Sequence, residues 1–152
     1  LPSLLSLGLP NAASSVIVLA DTARTAQDAA NSLNCQLGAI VKSLVFRIGD
    51  QAVMALVAGD KRCDVKALPS ALGLAGKARR ADADMVQAAT GFTIGGVAPL
   101  GFLAPLPLVI DQSLGRFDAI YAAAGHPHCV FATTLEELTR LTGGAVDAAI
   151  TE

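Results

Sequence analysis

The chain has no surplus of positive charge: 11 Lys and Arg stand against 13 Asp and Glu, giving a net charge of -2 and a pI near 5.6. A global positive field gripping nucleic acid is thereby excluded, and any such partner must be met by a local patch. Charged residues make up only 16% of the sequence and hydrophobic ones 53%, which excludes disorder and predicts a compact interior packed from Ala, Val and Leu. Cysteine is scarce. Cys35, Cys63 and Cys129 are far apart, odd in number and form no C-x-x-C pair, so reduced thiols of a cytoplasmic protein are expected. The long uncharged run over residues 91–110 is broken by Pro99, Pro105 and Pro107, which rules it out as a membrane helix. The opening "LPSLLSLGLP" lacks a basic segment and does not read as a secretory signal, and without an initiator Met the natural start is expected upstream. Repeats, low-complexity tracts and charge blocks are also missing, so the 152 residues are read as one domain spanning 1–152.

What is present is a succession of short elements punctuated by glycine. "SVIVLA" (15–20) reads as a strand, and "RTAQDAANSLN" as a helix opening on a Thr25/Asp28 capping box and ending near Asn34. "AIVKSLVFRIGDQAVMALVAGDKRCD" predicts two strands joined at Gly49-Asp50. "DVKALPSALG" and "DADMVQAATG" predict helices ending at Gly73 and Gly91, the first interrupted near Pro69 and the second capped by Asp82. Beyond them come a strand "LPLVID", a helical turn "DQSLGRF", a strand pair "DAIYAAAG" and "HCVFA", a helix "TLEELTRLTG" capped by Thr133 or Thr134, and a terminal strand "AVDAAI". Several strand pairs have connections too short for βαβ crossovers. The expected class is α+β, with a mixed, curved sheet flanked by helices.

Reactive side chains are few. "TGFTIGGVAPLG" (90–101) sets four glycines and a proline among apolar residues. It follows a predicted helix and precedes a strand, the reverse of a dinucleotide fingerprint, and G-x-x-x-x-G-K-[ST] is lacking. Two readings remain: a structural turn, with Gly91 as helix cap and Gly95-Gly96 as a bend, or a main chain laid bare so that its N–H groups can hold an oxyanion. Lys42 stands among apolar strand neighbours, where an ammonium either finds an anionic or carbonyl partner or snorkels to solvent. His126 and His128 of "GHPHC" would share a strand face beside Cys129, yet a metal site needs further ligands, so none is expected. G-x-S-x-G is lacking, and Asp60, Asp64, Asp82 and Asp84 fall at turns and caps. Six of the eleven basic residues lie between 61 and 80: Lys61, Arg62 and Lys66 in one group, Lys77, Arg79 and Arg80 in another. Solvated turns or a phosphate-contacting patch would both fit.

Taken in order, "TARTAQDAANSLNC", "IVKSLVF", "AGDKRCD", "ADADMVQAATGFTIGGVAPLG" and "LEELTRLTGG" resemble, across nearly the whole chain, the YbaK and prolyl-tRNA synthetase editing-domain family of aminoacyl-tRNA deacylases. The resemblance implies an α+β domain built around a mixed, barrel-like sheet. It implies free-standing editing enzymes that hydrolyse the ester between a wrong amino acid and the 3′ end of a tRNA, most often tRNA(Pro), without a cofactor. The family's lysine matching Lys42 is essential, and the loop matching Gly95, Gly96, Pro99 and Gly101 borders its aminoacyl pocket. "GHPHC" departs from the residues expected of the cysteine-removing branch, which favours alanine, 2-aminobutyrate or a similar small side chain.

On that resemblance, the backbone of Gly95, Gly96 and Gly101 is expected to hold the carbonyl oxygen, Lys42 a phosphate or carbonyl of the substrate, and a ribose hydroxyl of the tRNA to help activate the water. Ile40, Leu44, Phe46, Ile94, Val97, Ala98 and Pro99 would line the pocket, with His126 or His128 at its edge. The expected partner is the CCA end of an aminoacyl-tRNA, with prolyl-tRNA synthetase associated; neither DNA nor a membrane is expected. A non-catalytic tRNA-binding module and a hydrolase of small-molecule esters are the competing readings.

Overall fold

The computed structural model describes residues 16–18, 25–91, 106–126 and 129–151. The local signals of the sequence mature into elements where side chains can meet orphan backbone groups. Helix α1 (Ala26–Leu33) opens on the Thr25/Asp28 capping box, both halves formed, and closes at Asn34 in left-handed backbone. A 3-10 turn (Leu37–Ala39) leads to strands β2 (Val41–Ile48) and β3 (Gln51–Ala58), an antiparallel hairpin turning on Gly49, whose φ is +61°. The interrupted helix resolves into a 3-10 turn (Val65–Ala67) and α2 (Leu68–Leu72), with Pro69 in the first turn, where its missing N–H costs nothing.

One strand has no counterpart in the sequence reading. The segment Ala78–Arg80 forms β4, pairing antiparallel with the far end of β2. Its two arginines hide the strand pattern. Helix α3 (Ala83–Thr90) is capped by the Asp82 carboxylate, which accepts from the Met85 N–H at 2.8 Å. Strand β5 (Leu108–Asp111), a 3-10 turn (Gln112–Arg116), strands β6 (Ile120–His126) and β7 (Cys129–Thr133), and helix α4 (Leu135–Thr142) follow as expected, Thr134 supplying the cap. The terminal strand is shorter than "AVDAAI" suggests: β8 covers Ala145–Asp147, because the Asp147 carboxylate captures the Ala149 N–H at 2.6 Å and turns the chain. Near the other end, β1 (Val16–Val18) falls inside the predicted strand 15–20.

The architecture is α+β with a mixed sheet. Five strands run in the order β4-β2-β3-β5-β8, antiparallel across the first three and parallel across β3, β5 and β8. A second, antiparallel sheet has the order β1-β7-β6, and a parallel bridge between Ile40 and Tyr121 links the two. The curvature expected of one sheet is thus divided between two. Strand β3 is central and covered on both faces, which explains its unbroken apolar run: Val53 to Ala58 have no solvent exposure. Its even-numbered side chains meet Ile120, Ala122, Phe131 and Leu138 of the second sheet and α4, whereas Val53, Ala55 and Val57 pack beneath Leu68 and Ile150.

Where β3 ends, the backbone passes so close to the 3-10 turn that a side chain has no room. A Cβ on Gly59 would lie 2.4 Å from the Leu37 carbonyl oxygen, and the Gly59 N–H donates to the Ile40 carbonyl at 2.7 Å. Gly59→Ala is expected to cost about 1–3 kcal/mol, in the range of overpacking, read as a lower urea midpoint. An unchanged midpoint would show that the two segments part without penalty.

Candidate active site

The site begins with the second residue of β2. Alternation places Lys42 on the face shared by Leu44 and Phe46, opposite Val57 of β3 in register. Its stem is half-buried there, and its Nζ donates to the main-chain carbonyl of Lys61 at 2.5 Å. The sequence left two outcomes open for this ammonium, an anionic or carbonyl partner or snorkelling to solvent, and the structure shows a carbonyl partner. An ammonium carries three N–H donors, and among the described residues only one is spent, on Lys61.

Burial pushes the Lys42 pKa below the ordinary lysine value; Cys63, Asp60 and Asp111 act against that fall, and Arg62 adds to it. The cation therefore sits in a field of opposing signs. Asp111, at the end of β5, is almost fully buried and spends its oxygens on Ala58 N–H at 3.0 Å, Ser113 N–H at 2.8 Å and Ser113 Oγ at 2.7 Å. Asp60 forms a two-pronged pair with Arg116, at 2.8 and 3.0 Å, which lowers its pKa from the usual carboxylate value chiefly through the hydrogen bond. A neighbouring hydroxyl takes no part: Ser43 Oγ is buried without a hydrogen-bond partner among the described residues, and strand alternation turns it to the opposite face from Lys42.

Of the remaining predicted site residues, Leu44 is half-buried on the Lys42 face and Phe46 is sealed in the core beneath Leu68. Ile40 lies apart from them, packed against Ala29, Ala30 and Val130 beneath α1. Lys61 and Arg62 lie in the turn beyond β3, the Lys61 carbonyl meeting Lys42 and Arg62 acting on its charge, with Lys66 in the 3-10 turn that follows, while Arg79 and Arg80 stand exposed on β4 at the opposite end of β2, with Lys77 just before them. The basic stretch is therefore two patches separated by the length of the hairpin. His126 closes β6 in register with Cys129. His128, Ile94, Gly95, Gly96, Val97, Ala98, Pro99 and Gly101 lie outside the described residues.

Asp60, Asp111 and Arg116 enter the site without having been singled out as its members. Asp60 reads as a turn residue in sequence, and Asp111 and Arg116 as parts of a strand end and a helical turn. Their only local signal is D-Q-S at 111–113, the spacing of a carboxylate that caps the second N–H beyond it. Among the described residues, no group of three or more His, Cys, Asp or Glu could hold a metal ion, and no helix is long and apolar enough to cross a membrane.

Over residues 20–141 the chain matches the family model of the aminoacyl-tRNA editing domain. It is 34% identical over 119 residues to the uncharacterized protein YwhH of Bacillus subtilis, covering 78% of this chain and 74% of that one. With EbsC of Enterococcus faecalis, named as a candidate Cys-tRNA(Pro)/Cys-tRNA(Cys) deacylase, the identity is 29% over 122 residues, 79% of this chain and 73% of the other. Among solved structures, a candidate trans-editing enzyme for prolyl-tRNA synthetase superposes with a TM-score of 0.84 at 39% identity, covering 90% of this chain and 85% of its own.

The Asp60–Arg116 pair has a defined pH signature. Because the folded carboxyl titrates below its unfolded value, the unfolded chain binds more protons in acid, so the pair's stabilisation is present at neutral pH and lost as pH falls below about 4. Urea unfolding of the wild type and Asp60→Asn should differ slightly at pH 7, and that small gap should narrow as the pH falls below the ordinary carboxylate range. A gap that persists in acid would place its origin outside this pair.

Proposed function

The chain belongs to the aminoacyl-tRNA editing domain family, hydrolases of the aminoacyl-tRNA ester bond, and on that premise we propose that it clears tRNA(Pro) mischarged with a small amino acid, alanine or 2-aminobutyrate ahead of cysteine. The observation that supports a catalytic reading over a purely binding one is the Lys42 ammonium, held half-buried against a main-chain carbonyl with only one of its donors spent among the described residues. A surface lysine serving only as a phosphate contact needs no such seat.

In the proposed reaction a water adds to the ester carbonyl carbon, and its proton passes by way of a hydroxyl of the terminal ribose. Negative charge develops on the carbonyl oxygen, where the main-chain N–H groups of Gly95, Gly96 and Gly101 are assigned to meet it. Collapse of the tetrahedral species expels the ribose oxygen, which takes up a proton, leaving free amino acid and intact tRNA. Lys42 orients the substrate through a carbonyl or phosphate oxygen. The demand on the protein is modest, since an aminoacyl ester is already activated and positioning with oxyanion stabilisation suffices. Selectivity follows from size: a synthetase distinguishes one methylene by only about 1–3 kcal/mol, and a second, smaller pocket that excludes proline removes what the first admits. Leu44, Ile94, Val97, Ala98 and Pro99 are assigned to that pocket, with His126 or His128 at its edge; Phe46, sealed in the core, is not part of it.

The tRNA is met through its CCA end. Lys61, Arg62 and Lys66 are the basic residues assigned to it, and the β4 patch of Arg79 and Arg80, with Lys77, would meet phosphates farther along. Prolyl-tRNA synthetase is the candidate source of the mischarged tRNA.

Release of amino acid should be measured from tRNA(Pro) charged with alanine, 2-aminobutyrate, cysteine, serine or proline, and from a simple amino-acid ester. Hydrolysis of alanyl- or 2-aminobutyryl-tRNA, with prolyl-tRNA spared, is expected; equal cleavage of the free ester would make the protein a small-ester hydrolase, and binding without hydrolysis a tRNA-docking module. Lys42→Ala should stay folded and lose on the order of 10²-fold in rate or more; full activity would remove Lys42 from the mechanism. Binding of uncharged tRNA should weaken only gently with salt, with a log–log slope of about -2, as for two or three single-strand phosphates. A slope near -8 would indicate a duplex binder instead.

A further inference from the structure

We infer that the Asp60–Arg116 ion pair positions the Lys42 ammonium, acting through the main chain of the turn that carries the Lys61 carbonyl. The inference rests on the proposed role of Lys42 for its consequence in catalysis, but not for its geometry. That turn leaves β3 at Gly59 and is tied down on its inner side by two main-chain bonds, Gly59 N–H to the Ile40 carbonyl at 2.7 Å and Lys61 N–H to the Ala58 carbonyl at 3.0 Å. On its outer side both Asp60 oxygens are held by the Arg116 guanidinium, whose Nε donates at 2.7 Å to the Ser113 carbonyl. With three of its N–H groups committed in one plane, the guanidinium cannot pivot about either partner.

The chain of contacts closes on itself. Ser113 grips Asp111 through its N–H and hydroxyl, and Asp111 accepts from the N–H of Ala58, the last residue of β3 and the one immediately before the turn. A ring of hydrogen bonds therefore runs from Ala58 through Asp111, Ser113, Arg116 and Asp60 back to the same strand end, and the Lys61 carbonyl is the next peptide along. Space is constrained as well: a Cβ on Gly38 would lie 2.9 Å from both the Arg116 guanidinium and the Asp60 carboxylate, so the 3-10 turn is pressed against the pair.

Magnitudes separate positioning from plain stabilisation. The two side chains are 40% and 35% exposed, and an ion pair so placed contributes little to stability. A displacement of about 1 Å at a substrate-holding group, by contrast, can cost on the order of 10²-fold in rate. Asp60 and Arg116 are thus positioning residues.

The test reads Lys42 directly. Full-length wild type, Arg116→Met, Arg116→Lys and Asp60→Asn, each checked for folding by circular dichroism, are treated with an amine-acylating reagent and the modification of Lys42 is followed by mass spectrometry relative to exposed Lys77. Lys42 should react several-fold faster in Arg116→Met and Asp60→Asn than in the wild type, with Arg116→Lys between them. The first two should also lose about ten-fold or more in kcat on mischarged tRNA with KM little changed. Wild-type labelling of Lys42 in folded Arg116→Met or, where that variant does not fold, in Asp60→Asn overturns the inference. Faster labelling alongside a fully active Lys42→Ala would leave the positioning intact and remove the catalytic role of Lys42 instead.

Discussion

The register of β2 on β3 is the constraint from which the rest follows. Eight consecutive pairs, from Val41 with Ala58 to Ile48 with Gln51, set Lys42 opposite Val57, four residues before Lys61, whose carbonyl it meets. A slip of one residue would turn Lys42 toward the second sheet and bring Ser43 to the Lys61 side, since side chains alternate with a period of two. What holds the register is burial on both faces of β3: each face presents a different set of apolar neighbours, and neither could accept the other's side chains.

A domain that buries so much of its central strand leaves its polar chemistry at the strand ends. Lys42, Asp111 and the turn after Ala58 all lie where β2 begins and where β3 and β5 stop, the place where backbone groups run out of ladder partners and side chains take over. The Asp111 carboxylate satisfies the Ala58 N–H, which the parallel ladder with β5 leaves behind. The Lys61 carbonyl, having no strand partner, accepts the ammonium. Capping needs and the Lys42 ammonium thus share one network, and the ring through Ser113, Arg116 and Asp60 is the outer half of it.

Electrostatics at this end are balanced rather than strong. The protein as a whole is slightly acidic, and at the Lys42 seat the repulsion from Arg62 is opposed by Asp60 and Asp111. A nucleic acid that must leave after hydrolysis is better served by a few local contacts than by a uniformly basic surface. The second basic patch, on β4, sits at the other end of the hairpin, so two groups that are near in sequence lie apart in the fold.

Much of the fold was legible in the sequence because its signals are local. The Thr25/Asp28 box, the Asp82 and Thr134 caps, the glycine helix ends and the Gly49 turn each depend on residues within four positions of one another, and each formed as read. The family was legible from motif order. Strand β4 was not, because its pattern is polar and its only support is the partner strand; nor was the early end of β8, decided by one carboxylate. By itself the sequence determined most element types, the caps and a lysine set among apolar strand neighbours, free either to meet an oxygen or to reach solvent. Which oxygen, and the ring that holds it, only the tertiary structure decided, because Lys42, Lys61, Asp111 and Arg116 meet through separations of 19 to 56 residues that no local periodicity encodes.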